Sequence, residues 1–395
     1  MRHPVIIAGG GPTGMCAALF LLEAGIPVVV LERNPGLPDD PRAATFHPPT
    51  LEMLAPSGIT DKLMSAGLVA RKWQNRDRRE GLIAEFDLAL LADETAFPFR
   101  LQCEQHKLVR MLRAHMADWP GLDLRTGQGI KSITQHEDHV VVETDTDRLE
   151  CEWLIGADGG RSVVRKSQPI AFEGFTYPER FLVITSTHDF EADGFALSNY
   201  VADPQEWCAV FKVPNDGPPG VWRTVFPTDP TTPEAELTDF ASARRRLSGF
   251  VGEGASFEIV HTNLYTVHQR VAERFFHHRV LLLGDAAHLN NPLGGMGMNF
   301  GIHDAENCAR ALKLTLESGD TAPIARFDRQ RRTAASKFLQ SMTIQNKKAL
   351  EETDPDVRAA RQDELRATAA DPARAHAFLM RTSMLEGLRE VNALP

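Results

Sequence analysis

Glycines and carboxylates at regular separations carry the chemistry legible in this chain. Gly9-Gly10-Gly11-Pro12-Thr13-Gly14 follows a short apolar run, Pro4–Ala8. Gly9, Gly11 and Gly14 form G-x-G-x-x-G, in which the first glycine makes a tight turn, the second admits a pyrophosphate and the third lets a helix pack on a strand. Glu32, at the end of the next apolar run, stands where a carboxylate binds a ribose hydroxyl. Gly156-Ala157-Asp158-Gly159-Gly160-Arg161-Ser162 ends another apolar run, and Asp158 and Arg161 are suited to hydroxyls or phosphates. Gly284-Asp285-Ala-Ala-His288 leads through Asn290-Asn291-Pro292 to Gly294-Gly295-Met296-Gly297-Met298-Asn299. There a carboxylate and a helix N-terminus share one side of a sheet, which favours an anion or an electron-rich oxygen.

Positioning these residues requires a strand before each loop and a helix after it. Pro4–Ala8, Met15–Ala24 and Pro27–Leu31 predict a βαβ unit, closed by Gly25 as a helix C-cap. That unit predicts dinucleotide binding, with NAD and FAD both open. Glu152–Ile155 and Val280–Leu283 are the strands expected before the second and third loops, and Met298–Leu316 is the helix expected after the third. Between them, Phe181–Thr187, Ala196–Val201, Trp207–Val213 and Val221–Phe226 are strand-like runs separated by Pro/Gly turns, implying an inserted antiparallel domain. Glu234–Phe250 and Ile324–Glu352 are expected as single helices, and the tail from about residue 323 is charged and alanine-rich, with no chemistry evident in it.

The fold class expected is α/β: a Rossmann-like cofactor domain (1–75, 102–175 and 271–323), an antiparallel substrate domain (176–270, with an excursion at 76–101) and C-terminal helices (324–395). The net charge of −10 argues against nucleic acid and anionic membranes as partners. Cys16, Cys103, Cys151, Cys208 and Cys308 lack metal-ligand spacing and suggest reduced thiols in a cytoplasmic protein, with no metal site. Residues 17–31 are broken by Glu23, Gly25 and Pro27, whereas a membrane span needs about 20 apolar residues. With a strand entered by Val5, no signal peptide is expected.

In this order and at these separations, the three loops resemble those of the para-hydroxybenzoate hydroxylase type of FAD-dependent aromatic hydroxylase, the group A flavoprotein monooxygenases. The resemblance covers roughly 4–175 and 270–345. It implies that Gly9, Gly11 and Gly14 cradle the FAD pyrophosphate, that Glu32 holds the adenosine ribose with Arg33 nearby, and that Arg42 and Gln105 reach the cofactor from neighbouring elements. Asp158 belongs to a motif linked with FAD and NAD(P)H, and Asp285 would bind the ribityl hydroxyls. Gly295, Gly297, Met298 and Asn299 would lie along the flavin pyrimidine edge. NADH or NADPH would reduce FAD, and O₂ would then give a flavin C4a-hydroperoxide that hydroxylates a small phenolic or N-heteroaromatic substrate. A monomer or homodimer is expected.

The catalytic base is open among His47, Tyr200, Tyr265, His268 and His288, with His47 favoured and His288 more in keeping with a structural role. Arg223 is a candidate for a substrate carboxylate, an exposed strand arginine being the alternative, and the Pro292 carbonyl for a substrate hydroxyl. Asn290-Asn291 departs from the family, which commonly has Pro-Pro there. With only Tyr177, Tyr200 and Tyr265, the two-tyrosine relay of para-hydroxybenzoate hydroxylase cannot be carried over. A halogenase, a dehydrogenating flavoenzyme and a flavin-binding electron-transfer or regulatory protein are the alternatives, and the halogenases' Trp-x-Trp-x-Ile-Pro string is absent.

Overall fold

The computed structural model describes residues 2–36 and 43–395. Its first sheet runs Leu122–Thr126, Val28–Glu32, Arg2–Ala8, Arg148–Gly156, Val280–Leu282 and Phe276–His277, parallel except at the last pair. Ser132–Gln135 and Val140–Glu143 form an antiparallel hairpin on Arg148–Gly156. Val28–Glu32 is buried throughout, as a parallel strand covered on both faces must be. The helix Pro12–Glu23 buries Gly14–Leu21 without interruption, so it too is enclosed. Ala8 pairs with both Leu31 and Gly156, and Gly156 pairs with Leu282. This register ends the strands level and delivers the three glycine loops to one edge.

The second sheet runs His288–Leu289, Ile259–Ala272, Phe172–Ser186, Val221–Pro227, Cys208–Val213, Ser198–Ala202, Lys72–Asp77 and Gly81–Asp87. The excursion expected at 76–101 therefore begins earlier, because Gln74–Asp77 already pairs with Asn199–Ala202. Its end also differs: Arg100–Gln102 pairs instead with Thr45–Phe46 and Leu68–Ala70 in a small third sheet. One face of the second sheet packs Trp222 and Phe226 against the helix Phe240–Val251. The other face carries Phe181, Ala209 and Val225 and packs on Leu293, from the third glycine loop.

Two expected long helices are interrupted. Asp239 ends Glu234–Thr238 and caps Phe240–Val251 by accepting from the Ser242 amide (2.9 Å), as aspartate favours at an N-cap. The stretch expected from Ile324 to Glu352 passes through a π-helical turn at Ala334–Gln340, from which Gln340 donates to the Leu289 carbonyl (2.8 Å). The helices Pro355–Ala370, Pro372–Thr382 and Leu385–Asn392 then cover Trp73, Phe86, Leu88 and Leu91 with Ala375, Leu379 and Leu385. No helix is long and apolar enough to cross a membrane among the described residues.

Candidate active site

The first glycine loop divides its work among its members. Gly9 adopts φ +105, and a Cβ there would overlap the Ala157 carbonyl oxygen. A Cβ on Gly14 would overlap the Gly9 carbonyl oxygen. Gly11 differs: a Cβ there meets nothing within 4 Å. The helix it opens has no side-chain cap and no acid in its first turn, so its amides and partial positive charge face that open space. Glu32 is buried and accepts from the amides of Gly10 (2.8 Å) and Asn34 (2.9 Å), which ties its carboxylate to the turn. Arg33 is exposed, and Arg42 lies outside the described residues.

Thr13 joins this loop to the third. A Cβ on Gly284 would come within 2.6 Å of Thr13 Oγ1, and one on Gly301 would overlap it. The absent side chains let helices Pro12–Glu23 and Gly297–Ser318 approach with their N-termini side by side. Asp304 sets the turn between them. It accepts from the Gly284 amide (2.9 Å), from Arg331 Nε (2.6 Å) and from His288 Nε2 (2.7 Å). All three side chains are buried, and although burial works against its charge, Arg331 and His288 hold the Asp304 carboxyl down at about 2. His288 is thus a structural ligand of Asp304, while Asp285, on the same turn, is exposed.

Asp158 serves its own turn. It accepts from Ser162 Oγ (2.5 Å) and from the Val163 and Val164 amides (2.7 and 3.2 Å), at the start of a one-turn helix that Ser162 caps. Arg165, just beyond, donates to the carbonyls of Gly160 and Ala286 (2.8 Å each) and so clamps the second loop to the third.

The loop before Gly297 is held around Gly294. A carbonyl can only accept, so the 2.8 Å contact between His47 Nε2 and the Gly294 oxygen puts the ring proton on Nε2. His47 Nδ1 is then a buried acceptor without a partner. Burial, helped by the Arg100 charge, lowers the His47 pKa to about 3, so the ring is neutral. Tyr200 reaches the Gly294 backbone from the second sheet, and burial pushes its hydroxyl up to about 12 against the opposing effect of Arg100. Asn299 accepts from the His47 amide (2.9 Å) and donates to the carbonyls of Thr45 (2.8 Å) and Gly295 (2.7 Å). The Pro292 carbonyl accepts from the Gly295 amide (3.0 Å), which closes the turn.

Asn291 is buried in a structural network. Its amide donates to Gln269 Oε1 (3.0 Å) and its Nδ2 to the Thr343 carbonyl (2.9 Å). Asn290 is half-buried, with Oδ1 within 2.8 Å of where a Gly297 Cβ would stand. Gln105 is half-buried at the start of helix Gln105–Met116, and its amide donates to the Ala43 carbonyl (2.9 Å). Arg223 is buried, alternating with Val221 and Val225 on the sheet face toward Ala44 and Leu293. The alternative of an exposed strand arginine is thereby excluded.

Residues 2–342 match the family described as FAD binding domain. The chain belongs to that family. Among its relatives, para-nitrophenol 4-monooxygenase from a Pseudomonas species is 32% identical over 98% of this chain and 97% of its own length. The 6-hydroxy-3-succinoylpyridine 3-monooxygenase HspB of Pseudomonas putida is 32% identical over 84% of this chain and 85% of its own. The crystal structure of p-nitrophenol 4-monooxygenase PnpA from Pseudomonas putida superposes with a TM-score of 0.91, at 31% identity over 98% of both chains. The chain is an FAD-dependent aromatic-ring monooxygenase, as the three-loop resemblance implied.

The residues present in the flavoprotein fit the cofactor. The open space at Gly11 faces an uncapped helix N-terminus, the Asp285 carboxylate is exposed beside it, and helix Gly297–Ser318 has neither a side-chain cap nor an acid in its first turn. The flavoprotein's second sheet also brings in residues that motif reading passed over. Arg100 is buried over the Trp73 ring, its guanidinium carbon 4.7 Å from the centroid, and donates from Nη2 to the Thr382 carbonyl (3.2 Å). Trp73 stacks on Phe378 (5.4 Å) and meets Tyr200 edge-on (5.6 Å). A cavity partly open to solvent is lined there by Trp73, Asn75, Tyr200, Asn346, Phe378 and Thr382. The C-terminal helices, in which no chemistry was evident, thus form one of its walls.

Proposed function

We propose that this enzyme hydroxylates a small phenol or hydroxypyridine, with NADH or NADPH as electron donor and O₂ as oxygen source. The observation that carries the reading is the meeting of His47 and Tyr200 at the Gly294 backbone, on the loop that leads into the uncapped Gly297 helix. FAD, when bound, supplies the redox and oxygen chemistry. In this reading the chain holds it with Gly9, Gly11, Gly14, Glu32, Asp285 and Gly295–Asn299, and the inner sheet face bearing Tyr200 and Arg223 covers the reacting ring. His47 accepts a hydrogen bond from a substrate hydroxyl at Nδ1 and, with its low pKa, passes the proton on rather than storing it. Tyr200 remains protonated at neutral pH and serves as a donor. Dense apolar packing around Leu293 excludes water.

The names of the relatives, a para-nitrophenol 4-monooxygenase and a 6-hydroxy-3-succinoylpyridine 3-monooxygenase, support a hydroxylated ring bearing a polar substituent. The five cysteines are all buried thiols, in keeping with a cytoplasmic enzyme. The test is purified yellow holoenzyme assayed for NADH and NADPH oxidation with a set of phenols and hydroxypyridines under ¹⁸O₂. Stimulated oxidation with one labelled oxygen in the product is expected. A product carrying no label from O₂ would overturn the reading.

A further inference from the structure

Buried hydrogen-bond donors without acceptors are rare, because each forfeits its hydration. Several gather around one end of the cavity between the second sheet and the C-terminal helices. Trp73 Nε1, Asn75 Nδ2 and Arg100 Nε are all buried without a partner. Trp73 and Asn75 line the cavity, and Arg100 touches two of its lining residues, the Trp73 ring and the Thr382 carbonyl. Gln102, two residues along the same strand as Arg100, has a further unpartnered buried Nε2. Arg100 is 4% exposed and has no carboxylate partner among the described residues. Burial lowers its pKa to about 10, which leaves it charged at neutral pH.

A buried cation normally has an anion beside it, since its desolvation is otherwise uncompensated. What this cluster lacks is an acceptor oxygen with negative charge. Arg358 and Arg361 also line the cavity; Arg358 is ion-paired to Asp77 (2.6 Å), while Arg76 turns its guanidinium to the Gly194 carbonyl (3.0 Å) and the Phe195 ring.

We propose that Arg100, with the Trp73 indole N–H and the Asn75 amide, forms a subsite for a negatively charged oxygen on the aromatic substrate. The proposal rests on the hydroxylase reading above and assigns it a charge preference: the ring binds as its phenolate or other oxyanion. The guanidinium favours the ionised form, so a bound phenol loses its proton more readily than in water. An ionised phenol is the more electron-rich ring, which is the form that accepts oxygen.

The test is binding alone. FAD-loaded enzyme is titrated with 4-nitrophenol across a range of pH, following the phenolate absorbance, and in parallel with 4-nitroanisole, which cannot ionise. In the wild type, bound nitrophenol should ionise at lower pH than the free compound. Arg100→Met should abolish that shift and weaken phenolate binding about 100-fold, while nitroanisole changes less than about threefold. Arg100→Lys should recover part of the loss. Trp73→Phe, which keeps a ring but removes the N–H, provides a second variant should Arg100→Met fail to fold, and it should weaken phenolate binding about fivefold. A folded, FAD-loaded Arg100→Met that loses both ligands equally, or neither, would mean that Arg100 is only a structural brace. Wild-type enzyme that binds no phenol or hydroxypyridine at all would overturn the hydroxylase reading and this subsite together.

Discussion

Thr13 and Gly301 lie in such close contact that a single methyl group on Gly301 would overlap the Thr13 hydroxyl and come within 3.2 Å of the Gly284 Cα. Two helices and the Asp285 turn thus meet at one small residue. Gly301→Ala should cost about 1–3 kcal/mol by overpacking. It should also lower FAD affinity, because the Gly11 and Gly297 helix ends are driven apart. Thermal melts with and without added FAD check both effects. An unchanged melting temperature in both would show that the interface yields without cost.

His47 and His303 are both buried, and burial lowers each pKa to about 3. In the unfolded chain each titrates near the usual value of about 6.5. Between those limits the unfolded state binds protons that the native state refuses, so stability falls as pH drops from 6.5 toward 3. The slope is about 1.4 kcal/mol per pH unit for each histidine, before any carboxylate contributes. Urea unfolding between pH 7 and 5 should show this decline. His303→Gln should make it shallower by about one histidine's share, and an equal slope in that variant would contradict the assignment.

Asp285 and Asp304 should separate cofactor binding from folding. Asp285 is exposed on the turn, so Asp285→Ala is expected to leave the melting temperature of the apoprotein within a few degrees and to weaken FAD binding about 10- to 100-fold. Asp304→Asn should do the reverse. It leaves the Arg331 charge buried without its anion, at a cost of about 3–5 kcal/mol. FAD titration by flavin fluorescence, with apoprotein melts alongside, distinguishes the two.

Phe378 closes the cavity from the C-terminal side by stacking on Trp73 and on Phe86 (4.3 Å). Phe378→Ala should destabilise the protein by about 3 kcal/mol and raise KM for the aromatic substrate more than it lowers kcat. Steady-state kinetics would check this. A change confined to kcat would place Phe378 closer to the chemistry than the geometry suggests.

The placement of the glycine loops between strands and helices was legible because each of its parts is local. Glycines at fixed offsets, a buried apolar run before them and a helix after them can all be seen within a short window, as at Gly9–Glu32 and Gly284–Asn299. Asp158 shows the limit of that reading. Its carboxylate accepts from Ser162 and from the Val163 and Val164 amides, four to six residues on, which lies outside the two- or three-residue spacing of a local cap. The cavity beneath the C-terminal helices was mostly illegible. Arg100 lies on a three-residue strand, Thr382 near the end of the chain, and Trp73 on a strand whose parallel partner is Ser198–Ala202. No local periodicity links positions brought together only by tertiary pairing. The burial of Arg223 is likewise a property of the assembled sheet rather than of Trp222-Arg223-Thr224.

The contact of Thr13 with Gly284 and Gly301 also bears on how the protein is made. Gly9–Gly14 leaves the ribosome well before the turn and helix that complete the cradle, which emerge only after the second sheet's main strands have been synthesised. A nascent chain therefore holds half a binding site, with an uncapped helix end and nothing opposite it. Cofactor loading belongs to the last stage of biogenesis. A shortage of flavin would accordingly show itself as an accumulation of full-length apoprotein rather than as stalled or truncated chains.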